Sequence, residues 1–174
     1  MSGPAAWFGL GAEETTALLL SLRVAAVATL VSLPLGLLAA WLLARRRFPG
    51  HALLDGLVHL PLILPPVVTG YLLLLGFGRR GVFGAWLAEI GIVFSFRWTG
   101  AALACAVMGF PLMVRAMRLS IEAVDRRLEQ AAATLGAPPP LVFLSVTLPL
   151  SLPGILAGAV LAFAKAMGEF GATI

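Results

Sequence analysis

The sequence predicts an all-α integral membrane protein, and three observations carry that prediction. Apolar residues make up 60% of the 174 residues, charged ones only 11%, and the mean hydropathy is +1.02. A soluble chain carries about a quarter charged residues. Four apolar stretches approach the roughly 20 residues that a helix needs to cross a bilayer. Arginines, finally, collect in the segments that follow two of those stretches.

The spans are expected at about residues 17–44, 53–77, 98–114 and 147–167. In lipid every backbone group must be bonded inside its own segment, so each stretch is a helix. The opening MSGPAAWFGLGAEETT starts acidic and lacks the basic n-region of a cleavable signal peptide. Arg45, Arg46 and Arg47 follow the first span, and Arg115, Arg118, Arg126 and Arg127 follow the third. Only Arg79, Arg80 and Arg97 lie between the second and third spans. The positive-inside bias then places the 45–52 loop and the 115–146 segment in the cytoplasm and the N-terminus outside. The formal charge of +4 reflects this topology and not a nucleic-acid partner. Residues Val82 to Ile92 read as a short helix on the outer surface, with a re-entrant hairpin as the alternative.

Prolines fall inside all four spans: Pro34; Pro61, Pro65 and Pro66; Pro111; Pro149 and Pro153. Each removes a backbone donor and bends its helix. The densest cluster, LPLILPPVVTGY at 60–71, is expected to leave an irregular first turn or two in the second span and has two readings: a polar opening beside a pathway, with Thr69 near the freed carbonyls, or simple kink packing.

The polar segment between the last two spans reads as an amphipathic helix over 119–135. Ile121, Val124, Leu128, Ala131 and Leu135 are spaced 3, 4, 3 and 4 apart and form its apolar stripe. Gly136 supplies a left-handed stop, and Pro138 to Pro140 forbid continuation while allowing a second short helix to open and run to Leu148. Such a helix either lies on the bilayer or docks into another protein, where Ala131 to Ala133 permit close approach.

The run QAAATLGAPPPLVFLSVTLP resembles the EAA loop of ABC-importer permeases, whose pattern is E-A-A, three residues, G, nine residues, I, one residue, L-P. Ala131, Ala132, Gly136, Leu148 and Pro149 fall in register; Gln130 takes the Glu position, Val146 the Ile position, and Glu129 lies one residue early. In that family the loop forms coupling helices that enter a cleft of the ATP-hydrolysing subunit. Further stretches, among them HLPLILPPVVTGYLLLLGFGRRG and LPGILAGAVLAFAKAMGEFGATI, are similar to permeases of molybdate ABC importers, with sulfate permeases sharing the Pro-rich second span. The resemblance implies one permease domain over residues 1–174 with the type I importer helical bundle. It also implies a homodimer, a separate ABC ATPase subunit, a periplasmic molybdate-binding protein and an inner-membrane location. Pro138 to Pro140 stand where the family carries basic or aromatic residues. The family also continues past GATI to a further helix, so the chain is expected to be truncated.

Chemistry of its own is not expected. There is no G-x-x-x-x-G-K-[ST], and the only lysine is Lys165, so ATP hydrolysis belongs to a partner. His51 and His59 stand without a cysteine or carboxylate cluster, and neither a metal site nor a cofactor is expected. The lone Cys105 reads as a small packing residue. Arg23 either snorkels to the headgroups or faces the entrance, and Lys165 and Glu169 can pair across one helical turn. A dianion crossing the bilayer needs hydrogen-bond donors and water. Ser32, Thr69 and the backbone loosened by Pro65 and Pro66 are the expected pathway groups. The competing classes are a permease for sulfate, thiosulfate or tungstate, a stand-alone secondary transporter or channel, and a membrane-embedded enzyme, for which no catalytic constellation stands out.

Overall fold

The computed structural model describes residues 11–78, Gly81, Gly84 and 98–171. All regular structure among them is helical: α1 (Ala12–Arg45), α2 (His51–Ile63), α3 (Pro66–Phe77), α4 (Trp98–Ala123) and α5 (Arg126–Thr134). A short α6 (Pro139–Val142) passes through one π-helical turn (Phe143–Thr147) into α7 (Leu148–Gly171). Three of the described helices are long and apolar enough to cross a membrane, or four spans if α2 and α3 count as one bent span. The expected Val82–Ile92 helix and Arg79, Arg80 and Arg97 lie outside the described residues.

The first span appears where the sequence puts it. The Glu14 carboxylate accepts the Gly11 N–H at 2.8 Å, satisfying a backbone donor at the start of α1. The helix is apolar around its whole circumference, as a lipid-facing helix must be. Val24, Ala25 and Ala28 are buried in the bundle, while Leu19, Leu30, Val31 and Leu35 are exposed. It ends at Arg45, and a tight turn follows in which the His51 N–H donates to Phe48 O at 3.1 Å. Gly50 occupies φ 100° and ψ 0° there, the left-handed position of a type II turn.

The second span differs from expectation. Residues 53–77 do not form one helix: α2 and α3 meet at 117°. Leu64 precedes a proline and is driven to extended backbone at φ −77°, ψ 138°. Pro65 and Pro66 then offer no N–H to the preceding turn, so the helix ends and restarts. The Thr69 N–H donates to Pro65 O at 3.1 Å and opens α3.

The centre of the bundle is α4, packed against α1 and α7 and more lightly against α2 and α3. Met113, Val114, Met117 and Ile121 of α4 are fully buried with Ala40 of α1, and Ile155 and Ala162 of α7 join the same core. A second cluster joins Val24, Ala25, Ala28, Ala102, Ala166 and Cys105, which is the packing residue expected of it. Glycines set the approach of α4 to α7. A Cβ on Gly158 would lie 2.9 Å from the Met113 carbonyl oxygen, and one on Gly154 would overlap Ser120. The hydroxyl of Ser120 donates to Ser151 O at 3.2 Å across that contact.

The third span and the polar helix also differ from expectation. The helix begun at Trp98 does not stop at 114 but runs to Ala123, so Ile121 belongs to the bundle core. The amphipathic helix over 119–135 is therefore two helices, broken at Val124 and Asp125. Ile121 and Val124 are buried while Leu128 is half exposed, so the even 3-and-4 spacing crosses a corner between two different surfaces.

Candidate functional site

The polar end of the bundle is built from α5 outward. At the corner, the Asp125 carboxylate accepts the Arg127 N–H at 2.9 Å and caps α5. At the other end, Gly136 N–H donates to Ala133 O at 3.0 Å and Ala137 N–H to Ala132 O at 3.3 Å. With Gly136 at φ 86° this is a Schellman stop, as its position in the sequence predicts. Pro138 is extended, and Pro139 and Pro140 open α6, again as expected. That second helix does not end at Leu148, however. It continues into α7, and the Leu148 N–H donates to Phe143 O across the π turn. The wider turn relieves Pro149, whose ring would crowd the carbonyl of Ser145 four residues back.

None of the residues of α5 is buried. Leu128 is 50% exposed and Leu135 89%, and with Ala131 and Ala132 they align at helical spacing on one unpartnered apolar face. Gln130, in register with the family glutamate, is exposed.

Glu129, one residue earlier, points to the bundle. Its Oε1 accepts from the Arg45 guanidinium at 3.0 Å and from the Thr147 hydroxyl at 2.6 Å. The same terminal nitrogen of Arg45 donates to Val124 O at 2.9 Å. The last turn of α1, the α4–α5 corner, α5 and the π turn are thus joined at one carboxylate–guanidinium pair. The Arg45 side chain is only 9% exposed, so this pair is far less screened than a surface ion pair. A second link runs from Arg118 of α4 to Asp55 of α2 at 3.0 Å and to Glu122 at 2.8 Å. His59 lies 3.4 Å from the same Asp55 carboxylate.

Arg45, Thr147, Arg118 and Asp55 were not among the sequence candidates. For Arg45, Arg118 and Asp55 the sole signal was charge, since an acidic residue on α2 and an arginine ending an apolar helix both need partners, and for Thr147 there was none. Arg118 meets Asp55 across 63 residues and Arg45 meets the Val124 carbonyl across 79, and both are a matter of tertiary packing.

The pathway candidates are dispersed. Ser32 is buried on α1, with its hydroxyl donating to Ala28 O at 2.7 Å. Thr69 is buried on α3 and reaches Pro65 O at 3.4 Å, a long bond, while Pro65 and Pro66 lie exposed at the α2–α3 bend. Leu148 and Pro149 begin α7. Arg23 stacks on Trp98, its guanidinium 4.5 Å from the ring centroid, and so ties α1 to the start of α4. Lys165 and Glu169 pair along α7 as their spacing predicts.

Comparison with known proteins places this arrangement among transporters. Residues 32–173 match the family described as binding-protein-dependent transport system inner membrane component. The chain is 62% identical over 162 residues to the molybdenum transport system permease protein ModB of Escherichia coli K12, covering 92% of this chain and 71% of that one. The ModB of Haemophilus influenzae Rd is 58% identical over the same shares. The sulfate transport system permease protein CysT of Escherichia coli K12 is 42% identical, over 88% of this chain and 56% of its own. A crystal structure of an amino acid ABC transporter superposes with a TM-score of 0.60 at 20% identity, over 88% of this chain and 66% of that one, a likeness of fold.

Proposed function

This chain belongs to the family of binding-protein-dependent transport system inner membrane components, and from that membership we propose that it is the permease subunit of an ATP-driven molybdate importer. The observation that carries the substrate is the 62% identity to a molybdenum permease over 92% of the chain, against 42% to a sulfate permease. The chain is the non-catalytic, multi-pass membrane subunit. It works as a homodimer with two ATPase subunits and a periplasmic binding protein, its α5 end in the cytoplasm.

In this reading α5 is the coupling helix. An apolar face of Leu128, Ala131, Ala132 and Leu135 left in water is unfavourable, and a groove on the ATPase would bury it. Displacement of α5 then reaches α1 through Glu129 and Arg45, α2 through α4 by way of Arg118 and Asp55, and α7 through the π turn. Each ATPase state must contact α5 differently for this to shift the bundle between outward- and inward-open forms. Gly136→Arg should remove the left-handed stop and abolish ATPase docking and uptake together. Normal docking and uptake in that variant would sink the coupling role.

Molybdate crosses only where donors replace its water. Thr69 is the better-placed hydroxyl, because its bond to Pro65 O is long, whereas the Ser32 donor is held by Ala28 O. The freed backbone at Pro65 and Pro66 adds polarity beside it. Thr69→Val should slow uptake at normal expression, and unaltered transport would remove Thr69 from the pathway.

The test of the whole reading is uptake of labelled molybdate into proteoliposomes holding this chain with its ATPase and binding protein. ATP-dependent uptake that excess sulfate does not suppress is expected. Suppression by sulfate would move the substrate to the sulfate class, and uptake without ATP would replace the importer by a secondary transporter.

A further inference from the structure

The geometry points to a binding site for one anionic phospholipid at the end of the bundle where α1, α2 and α4 meet α5. A cavity of about 710 Å³ there is lined, among the described residues, by five arginines, Arg45, Arg46, Arg47, Arg118 and Arg126, and by one carboxylate, Glu122. Arg45 and Arg118 are already matched, to Glu129 and to Asp55 with Glu122. Arg46, Arg47 and Arg126 are exposed and have no carboxylate partner among the described residues. Guanidinium groups converging on one concavity raise its potential and suit a phosphate, whose oxygens match their planar forks.

A free anion would use only that half of the surface. Arg46 also lines an adjoining groove of about 520 Å³ whose other walls are apolar, among them Leu37, Leu38 and Trp41 of α1 and Phe143 of the π turn. Its guanidinium stands 5.4 Å from the centroid of Trp41, and Trp41 meets Phe143 edge to face at 6.0 Å. A basic cavity and an apolar groove sharing one arginine fit the two halves of a single amphiphile, a charged headgroup and an acyl chain. The level fits as well. The arginines begin in the last turn of a 34-residue apolar helix, where a membrane helix leaves the hydrocarbon for the headgroups. Leu53 and Leu57 of α2, both largely exposed, continue the lipid-facing surface beside them.

The site stands whichever anion the chain transports. Native mass spectrometry of the whole chain in detergent, titrated with phosphatidylglycerol, phosphatidylcholine or inorganic phosphate, tests it. One saturable phosphatidylglycerol per chain is expected, bound at least about fivefold tighter than phosphatidylcholine. Arg46→Gln, Arg47→Gln and Arg126→Gln should each weaken it by about fivefold, as befits a headgroup beside each arginine. Arg23→Gln and Arg127→Gln, outside the lining, should leave it unchanged and serve as folding controls. Equal retention of the two lipids, or equal loss in all five variants, would overturn the site as a specific one. Displacement of phosphatidylglycerol by millimolar inorganic phosphate would make it a free-anion site and overturn the lipid.

Discussion

Glu129 and Gln130 differ by about 100° around α5, and that rotation separates an exposed amide from a carboxylate held in the bundle. The expected consequence is asymmetric. Glu129→Gln leaves Arg45 with a charge that is nearly buried and unpaired, and should lower stability by about 2 kcal/mol, the full buried-pair cost being moderated by the 21% exposure of Glu129. Gln130→Glu should change it by less than about 0.5 kcal/mol, because the side chain stands in solvent. Chemical unfolding in detergent measures both. A double-mutant cycle with Arg45→Gln should show coupling; additivity to within about 0.3 kcal/mol would mean the pair carries nothing. The family spacing alone directs attention to Gln130, since the residue that fills a motif position is what a sequence displays. Which of two neighbours meets Arg45 depends on how α5 is rolled onto α1.

At the scale of elements, small residues and prolines decide how the helices meet. Gly154, Gly158 and Ala162 recur every four residues along the face of α7 that lies on α4, the small-residue spacing that lets membrane helices approach closely. Gly158→Val would push against the Met113 carbonyl and should destabilise the bundle by about 1–3 kcal/mol, seen as a lower unfolding midpoint. An unchanged midpoint would mean that the two helices part without cost. The α2–α3 bend makes the opposite point. Replacing Pro65 and Pro66 by Ala returns two backbone donors and should straighten the pair, so spin labels at positions 53 and 75 should move apart toward about 33 Å. No change in that distance would show that surrounding packing, and not the prolines, enforces the bend. Prolines were legible as bends from the sequence, but a bend of 117° was not, because the missing hydrogen bonds set where a helix yields and the neighbours set how far.

At the scale of the whole molecule, the coupling role proposed for α5 sets an expectation for assembly. Leu135→Asp should lower the affinity for the ATPase by at least about tenfold while leaving stability of the isolated chain unchanged, since Leu135 packs against almost nothing in it. Co-purification and unfolding midpoints separate the two effects. Loss of stability with normal binding would make Leu135 part of the fold and not of an interface.

Composition, hydropathy and the arginine clusters determined that this chain is a bundle of membrane helices. The Gly136 stop, the Pro139 start and the Lys165–Glu169 pair were equally local, each resting on backbone chirality or helical spacing within a few residues. Tertiary structure alone decided that α4 runs to Ala123, because the helix persists as long as Met117 and Ile121 find buried surface on α1 and α7. It also decided that Arg45 belongs to Glu129 and Arg118 to Asp55. Charges seek partners through space, and the sequence does not record which helices will stand side by side.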